Sequence, residues 1–370
     1  MKIAIIGTGI AGNYAAWRLA RHHDITVFES RNRIGGHTNT IEVAEGDQTL
    51  AVDTGFIVYN DVTYPNFLSM LDELGVGSQA SDMSFSVSGG PENIEYNPAS
   101  LNQLFAQRSN LLKPSFYRML ADILRFNREA PGLLESPGLE QTLGEYLEQN
   151  GYSSRFVDHY ILPMGSAIWS ATAERMRAMP VLFFVRFFQN HGLLSVGGQP
   201  TWRVIRGGSA RYVEKLVAGH RERIRLNAPV TGISRHPEFI EVRTANGGPE
   251  RFDRVFIACH SDQALAMLQD ATPQEREVLG AIGYQRNEAV LHTDTSLMPK
   301  RRRAWAAWNY SIPPGLENHD GKVTLTYNMN ILQSLQASRP VSYTHLRAHE
   351  TLRSISYAVF CLKMGGGGGG

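Results

Sequence analysis

Three glycines near the start of the chain have the spacing that lets a protein backbone hold a phosphate group. Gly7, Gly9 and Gly12 form a Gly-x-Gly-x-x-Gly sequence directly after the short β-branched stretch at residues 2–6. In such a turn the first glycine permits a tight bend, and the second lets the backbone approach a pyrophosphate. The third allows a helix to pack closely on a strand. The following helix would offer free N–H groups and the positive end of its dipole to the phosphates.

An acidic residue completes this pattern. Residues 13–21 have a helical pattern, residues 25–28 are an apolar stretch typical of a buried strand, and Glu29 follows that strand directly. A carboxylate at this position can accept hydrogen bonds from a ribose hydroxyl. Strand, turn, helix, strand and acid together predict a βαβ unit that binds a dinucleotide, with NAD and FAD both open. The predicted contacts are Gly7, Gly9, Ile10, Ala11, Gly12, Glu29 and Ser30.

The next residues favour FAD. Arg33, Gly35 and Gly36 follow the acid, and here the chain resembles the FAD-dependent amine oxidase and carotenoid desaturase superfamily. The resemblance implies that this segment packs against the pyrophosphate and ribityl chain of FAD, where an arginine fork suits phosphate oxygens. The alternative is that the glycine pair is only a turn. The stretch at residues 52–67 most resembles bacterial proteins described as NAD/FAD-binding and amine-oxidase-like.

The same resemblance implies further cofactor contacts. It places the backbone of Val230 near the adenine and the strand end at Ala258 near the dinucleotide. The full set that it adds is Arg33, Gly35, Gly36, His37, Thr38, Gly55, Phe56, Val230 and Ala258.

The order of patterns predicts an α/β protein with a discontinuous Rossmann-like FAD-binding domain whose βαβ unit comes first. We assign residues 1–76 and 201–270 to that domain. Residues 77–200, which are mostly helical and aromatic, and residues 271–339 form a mixed α+β domain that caps the substrate.

The end of the chain has an unusual composition. Residues 341–350 and 355–362 resemble the translation of a sequencing adapter, and residues 365–370 are glycines. We therefore expect residues 340–370 to be a non-native, disordered tail on a C-terminally truncated protein. A truncated FAD domain would retain FAD weakly or not at all.

Composition excludes several classes of function. The chain carries 36 basic and 35 acidic residues, and this balance argues against nucleic-acid binding. No stretch is apolar and long enough to predict a transmembrane helix. Cys259 is the single cysteine before the tail, which favours a reducing cytoplasm. We interpret it as a small, inert core residue rather than a redox thiol, and no metal-ligand spacing is present.

Two other segments have a structural and a functional interpretation. Residues 207–209 (Gly-Gly-Ser) resemble a loop near the substrate, although Ser209 as a helix N-cap is the favoured interpretation. The aromatic stretch at residues 180–196 could line a lipid-sized tunnel or rest on a membrane, but such a stripe is more often core. Its phenylalanines are Phe183, Phe184, Phe187 and Phe188.

Together these features predict an FAD-dependent oxidoreductase that takes a hydride from a C–H bond of a small or lipid-like organic substrate. No nucleophile–base pair or carboxylate dyad is evident, so no catalytic residue is predicted. Tyr59, Asn60 and Trp169 are candidates for the substrate pocket. The alternatives are a non-redox flavoenzyme, such as a sugar mutase or a lipid or carotenoid isomerase, and an inactive fragment.

Overall fold

The chain forms two compact units in a computed structural model that describes residues 1–135, 138, 140–194, 197, 200–284, 288–313, 323–346 and 358–362. Unit 1 comprises Met1–Val58, Asn66–Gln79 and Val204–Gln285. Unit 2 comprises Tyr59–Pro65, Ala80–Arg203 and Arg286–Gly370. Unit 1 thus extends beyond residue 270, where the sequence placed the domain boundary, and the short segment Tyr59–Pro65 belongs to unit 2.

The strands are, in chain order, β1 (Lys2–Ile6), β2 (Asp24–Phe28), β3 (Thr40–Glu45), β4 (Gln48–Asp53), β5 (Val58–Asn60), β6 (Ser78–Ala80), β7 (Phe85–Gly89), β8 (Ile94–Tyr96), β9 (Trp202–Ile205), β10 (Ile224–Arg225), β11 (Val230–Arg235), β12 (Ile240–Thr244), β13 (Glu250–Phe252), β14 (Arg254–Ile257), β15 (Glu288–His292), β16 (Trp308–Ile312), β17 (Thr324–Asn328), β18 (Ser342–Leu346) and β19 (Ala358–Leu362).

The α-helices are α1 (Ile10–Leu19), α2 (Pro65–Glu73), α3 (Leu101–Leu104), α4 (Pro114–Glu129), α5 (Leu143–Gln149), α6 (Ser154–Phe156), α7 (Leu162–Trp169), α8 (Ala173–Arg177), α9 (Val181–Asn190), α10 (Ala210–Val217), α11 (Ser261–Met267), α12 (Pro273–Gly280) and α13 (Met329–Leu332). A π-helix at Val157–Ile161 joins α6 to α7. Short 3₁₀ helices occupy Arg108–Leu112, Ala130–Glu135, Arg221–Arg223 and Arg302–Ala304.

A parallel four-stranded sheet, ordered β10-β2-β1-β14, is the centre of unit 1. Its central strands β1 and β2 are buried on both faces, as is usual for parallel strands. On one face Ile3 and Ile5 pack with Ala16 of α1. On the other face Ala4 packs with Val242 of the antiparallel β11-β12-β13 sheet. The predicted βαβ unit is therefore present, with α1 beginning at Ile10, directly after the second glycine.

Unit 2 is built around a seven-stranded sheet, ordered β19-β15-β18-β17-β16-β7-β8. Its helices include α9, whose Phe184 and Phe188 are buried whereas Phe183 is 55% exposed. Two of the four phenylalanines of the predicted stripe are therefore core, and Phe187 is half-buried. The strands β7 and β8 lie in the region expected to be mostly helical, because short strands without clear alternation leave little signal in a sequence.

The expected disorder of the tail is wrong for two segments. Strand β18 pairs antiparallel with β15 and β17, and Tyr343 and Thr344 are buried in it. Strand β19 pairs with the other edge of β15. A segment of any origin can join a sheet, since pairing depends on backbone groups and on the buried face. Residues 347–357 and 363–370 of the predicted tail lie outside the described residues.

Within the described part of the chain, no helix is both long enough and apolar enough to cross a membrane.

Candidate cofactor-binding site

In the glycine loop between β1 and α1, two of the three glycines have no room for a side chain. Gly7 has a φ of +101°, and a Cβ there would lie 2.5 Å from the carbonyl oxygen of Ala258. A Cβ on Gly12 would lie 1.9 Å from the carbonyl oxygen of Gly7. Any larger residue at either position would collide with backbone. These two glycines, together with Ala258 at the end of β14, therefore bring strand and helix into close contact.

The middle glycine has the opposite environment. A Cβ on Gly9 would meet nothing within 4 Å, and it lies at the N-cap of α1, where no side chain caps the helix. Ile10 and Ala11 in the first turn are exposed. The first N–H groups of a helix have no acceptor within the helix. The loop thus presents backbone donors and a positive dipole end to an open space, which fits a pyrophosphate.

Glu29 lies beside this loop and is buried. One of its carboxylate oxygens accepts hydrogen bonds from the backbone N–H of Thr8, at 3.0 Å, and from the Thr8 hydroxyl. The other accepts from the backbone N–H of Arg31, at 2.9 Å. Two carboxylate oxygens offer about four acceptor positions. The Ser30 hydroxyl also donates to Glu29 Oε1, at 3.3 Å, so four donors occupy these positions and Glu29 fixes the loop.

Arg33 holds the glycine pair in place. Its Nη1 donates to the carbonyl oxygen of Thr38 at 3.0 Å, and its Nη2 donates to that of Gly36 at 2.8 Å. Burial lowers the pKa of Arg33, as does the neighbouring Arg31. Gly36 packs on the phosphate loop, because a Cβ there would lie 2.7 Å from the Cα of Gly9. The arginine fork thus clamps its own loop, and the glycine pair is more than a turn.

Two residues that the sequence analysis did not select, His260 and Tyr284, adjoin this loop. The ring of His37 stacks on His260 with centroids 5.6 Å apart, and His260 stacks on Tyr284 at 4.4 Å. Burial lowers the pKa of His260, and the nearby His37 lowers it further. His260 follows shortly after β14. Its position after a strand that ends beside the glycine loop was the signal that could have identified it.

A second group of buried contacts holds the segment around His37 and Thr38. The Thr38 hydroxyl bonds the phenol of Tyr212, and Phe56 meets that phenol ring edge to face. Gly55 lies under His37, whose carbonyl oxygen would be 1.9 Å from a Cβ at Gly55. Thr38, Gly55 and Phe56 are therefore gathered around the His37 segment.

The N-cap interpretation of Ser209 is wrong. Its hydroxyl donates to the carboxylate of Asp53 at 2.8 Å, and its backbone N–H donates to the same carboxylate at 2.9 Å. The hydroxyl makes no capping bond to α10. Burial raises the pKa of Asp53, against the hydrogen bonds that lower it. The Thr40 hydroxyl, rather than that of Ser209, accepts from the backbone N–H of Ala210 in the first turn of α10, at 2.9 Å.

Residues 227–230 lie beside residues 29–31, which come directly after β2, the second strand of the βαβ unit. The backbone N–H of Ala228 donates to the carbonyl oxygen of Glu29, and that of Asn227 donates to Arg31. Val230 itself packs among the apolar residues around Phe28. The structure therefore brings this segment beside Glu29.

Cys259 is half-buried, and burial raises the pKa of its thiol to about 11. The thiol therefore stays protonated near neutral pH, in agreement with an unreactive residue.

The three candidate pocket residues lie in unit 2. Tyr59 and Asn60 are fully buried, and the Asn60 side-chain oxygen accepts hydrogen bonds from the backbone N–H groups of Val62 and Thr63 at 2.9 and 2.8 Å. Asn60 thus shapes a turn. Trp169 is half-buried against the phenylalanines of α9.

A cavity of about 540 Å³ lies next to the Asn60 turn. None of the three candidate pocket residues lines it; its lining is Val62, Thr63, Tyr64, Asn190 and His191.

Comparison with known proteins shows the family to which the chain belongs. Over residues 10–311 the chain matches the family described as flavin-containing amine oxidoreductase. It is 33% identical over 106 residues to an FAD-dependent oxidoreductase of Emericella nidulans, which is 28% of this chain and 21% of that protein. It is 46% identical over 43 residues to a 4,4'-diapophytoene desaturase of Staphylococcus aureus, 11% of this chain and 9% of the desaturase. These matched stretches span far less than two thirds of the relatives.

Solved structures share the fold. Cyclohexylamine oxidase from Brevibacterium oxydans is similar with a TM-score of 0.67 at 15% identity, over 95% of this chain and 78% of the oxidase. A fatty acid isomerase from P. acnes is similar with a TM-score of 0.65 at 16% identity, over 94% of this chain and 77% of the isomerase. The predicted fold class, superfamily and cofactor are thereby confirmed. The chain belongs to the family of flavin-containing amine oxidoreductases.

Proposed function

We propose that this chain holds the pyrophosphate of FAD on the loop from Gly7 to Gly12 and oxidises a C–H bond of a small or lipid-like organic molecule. The observation that carries the proposal is the contrast among the glycines. A Cβ on Gly7, Gly12 or Gly36 would collide with backbone atoms, whereas Gly9 faces open space at the N-terminus of α1. Open space beside the N–H groups at a helix N-terminus is what a bound phosphate requires, whereas packing of the loop alone does not require it.

The protein residues bind and orient the cofactor. Bound FAD supplies a two-electron acceptor, which the side chains here cannot supply. The backbone around Gly9 would bind phosphate oxygens, and Glu29 would accept a hydrogen bond from a ribose hydroxyl in place of the long contact from the Ser30 hydroxyl. Arg33 would keep the loop from Gly35 to Thr38 in position through its two carbonyl contacts.

The substrate class is drawn from relatives. The similar oxidase is named for cyclohexylamine, and the partly similar desaturase is named for 4,4'-diapophytoene. Both names agree with a substrate whose C–H bond is oxidised. The family of amine oxidoreductases favours an amine. A cytoplasmic location is proposed from the scarcity of cysteine.

A flavin titration tests the proposal. The purified chain is mixed with FAD, and quenching of flavin fluorescence and the visible spectrum are recorded. We expect saturable binding with a resolved flavin band. Absence of any binding by a folded sample would refute the proposal and would favour an inactive fragment.

One observation supports a second candidate, a non-redox isomerase: the fold is similar to that of a fatty acid isomerase. Anaerobic mixing of the FAD-loaded chain with cyclohexylamine, and separately with an unsaturated fatty acid, separates the two functions. An oxidase loses its visible flavin band as the amine is oxidised, whereas an isomerase leaves the flavin oxidised after turnover.

A further inference from the structure

Two histidines that are far apart in the sequence stack next to the glycine loop between β1 and α1. The rings of His37 and His260 have centroids 5.6 Å apart and planes inclined by 16°. His37 directly follows Gly36, whose Cβ would lie 2.7 Å from the Cα of Gly9. His260 comes two residues after Ala258, whose carbonyl oxygen packs against the first glycine of the same loop. His37 is exposed and His260 is half-buried, so both rings are accessible from solvent.

The charge of this histidine pair depends on its surroundings. An ordinary histidine has a pKa of about 6.5 and changes its charge near neutral pH. Burial lowers the pKa of His260, and the nearby His37 lowers it further, while Asp262 raises it and Arg31 lowers it. Because Asp262 and Arg31 oppose each other, burial and the neighbouring ring decide the charge of His260. Without an anion beside it, His260 is therefore mostly uncharged at neutral pH.

Tyr284 prepares His260 to carry a charge. Its ring stacks on that of His260, with centroids 4.4 Å apart and planes inclined by 7°. Its hydroxyl oxygen accepts a hydrogen bond from the backbone N–H of Ser261 at 3.0 Å, which holds the ring in place. A cation within about 6 Å of a tyrosine ring is attracted to it. Tyr284 thus orients His260 and favours its protonated form.

We propose that His37 and His260 bind the pyrophosphate of FAD, and that FAD draws one proton from solvent onto this pair. This role rests on the proposed function, which places the pyrophosphate on the glycine loop. Phosphate charges favour the protonated form of a nearby imidazole, and a protonated imidazole donates from both ring nitrogens. Because binding and protonation are linked, FAD should bind more tightly as the pH falls. The proton returns to solvent when FAD dissociates.

Titration of the purified chain with FAD at about pH 8 and at about pH 6 tests this role. Quenching of flavin fluorescence gives the dissociation constant. It should be about three to ten times smaller at the lower pH, the change expected when the pKa of one group rises by about one unit on binding. Calorimetry in two buffers that differ in ionisation enthalpy should show net uptake of protons on binding. Partial unfolding in acid would weaken binding, so it cannot produce the expected increase in affinity.

Histidine variants assign the proton to the pair. The double variant His37→Gln/His260→Gln keeps polar side chains but has no titrating group, so its two dissociation constants should become equal. His260→Gln alone and Tyr284→Leu should each reduce the difference. The matched control is His236→Gln, which removes an exposed histidine that also stacks on an aromatic ring, that of Phe239, at 4.5 Å. It should keep the full pH dependence.

The outcomes separate this role from the proposed function. Saturable FAD binding with the same dissociation constant at both pH values overturns the role of the histidine pair and leaves the flavin site intact. A double variant that keeps the full pH dependence overturns it as well. Absence of FAD binding by the folded chain at both pH values overturns the proposed function and this role together. Circular dichroism at both pH values verifies folding, and if the double variant does not fold, the two single histidine variants replace it.

Discussion

At the scale of single residues, the glycines of the first loop differ in what surrounds them. Gly7 and Gly12 are required by the fold, since a Cβ on either would press into backbone within 2.5 Å. Gly9 has no such constraint. The same residue type therefore serves packing at two positions and leaves room for a ligand at the third.

Gly9→Ala should separate binding from folding. The added methyl group meets no protein atom, so the melting temperature should stay unchanged. It projects into the space assigned to the pyrophosphate, so the dissociation constant for FAD should rise by about tenfold or more. Fluorescence titration with FAD measures this change.

Gly219→Ala is the control for that variant, because a Cβ there also meets nothing within 4 Å and lies away from the loop in sequence. It should alter neither melting nor affinity. Equal FAD affinity of Gly9→Ala and the unaltered chain would show that the pyrophosphate lies elsewhere.

At the scale of elements, Asp53 ties the end of β4 to the turn before α10. Its carboxylate accepts hydrogen bonds from the Thr40 hydroxyl, at 2.6 Å, and from both donors of Ser209. Asp53 and Ser209 are far apart in the sequence and are buried together. The carboxylate therefore fixes how the β3-β4 hairpin meets α10 within unit 1.

Asp53→Ala should destabilise the chain by about 3 kcal/mol, because it leaves several buried donors without an acceptor. Urea unfolding measures the loss. Asp47→Ala removes an exposed carboxylate from the same hairpin and should change the free energy of unfolding by less than about 0.5 kcal/mol. Equal effects of the two variants would contradict this role for Asp53.

The raised pKa of Asp53 also predicts a pH dependence. Above about pH 4 the unfolded chain has lost this proton while the folded chain still holds it. The contribution of Asp53 to stability is thus complete below about pH 4 and is lost as the pH rises through the folded pKa. Asp53→Asn should remove this part of the slope in a series of urea unfolding curves. An unchanged slope would show that Asp53 is not the group responsible.

At the scale of the whole molecule, the seven-stranded sheet includes residues that the sequence assigned to a non-native tail. Strand β18 lies between β15 and β17, and Val341 and Tyr343 are buried with it. A strand in the interior of a sheet has backbone partners on both sides, so its removal would expose two neighbours at once.

A chain that ends at Arg339 should therefore be less stable than the full chain by several kcal/mol, with about 1.5–3 kcal/mol from each large buried side chain that is lost. Thermal melting of both chains measures the difference. A chain ending at Met364, which lacks only the final glycines, is the control. Identical melting temperatures of all three chains would show that the tail adds no stability.

Buried histidines should make the molecule sensitive to acid. Burial lowers the pKa values of His220 and His292, and that of His345 to about 4. Between about pH 6.5 and the folded pKa, the unfolded chain binds a proton that the folded chain does not. Their contribution to stability is therefore complete above about pH 6.5 and is lost as the pH falls. Unfolding curves from about pH 7 to about pH 5 should show weaker stability at the lower pH, and His345→Gln should reduce the decline.

How well the sequence predicted the site depended on how far apart in the chain the contacting residues are. The βαβ unit, the glycine loop and Glu29 were recognisable from sequence, because each depends on neighbours a few residues away. The roles of Ser209 and Arg33 were not, because each is set by the acceptor that folding places beside it. Strands β7 and β8 were missed because three to five residues carry too little periodicity.

The sequence by itself determined that the chain has a βαβ unit with a glycine loop and belongs with flavin enzymes, since a missing Cβ at Gly7, Gly9 and Gly12 is a local property. Only the tertiary structure decided that His260 stacks on His37, that Asp53 holds Ser209, and that β18 completes a sheet. These contacts join residues far apart in the chain. Local spacing cannot encode such partners, because burial and hydrogen bonding select them only when the chain is folded.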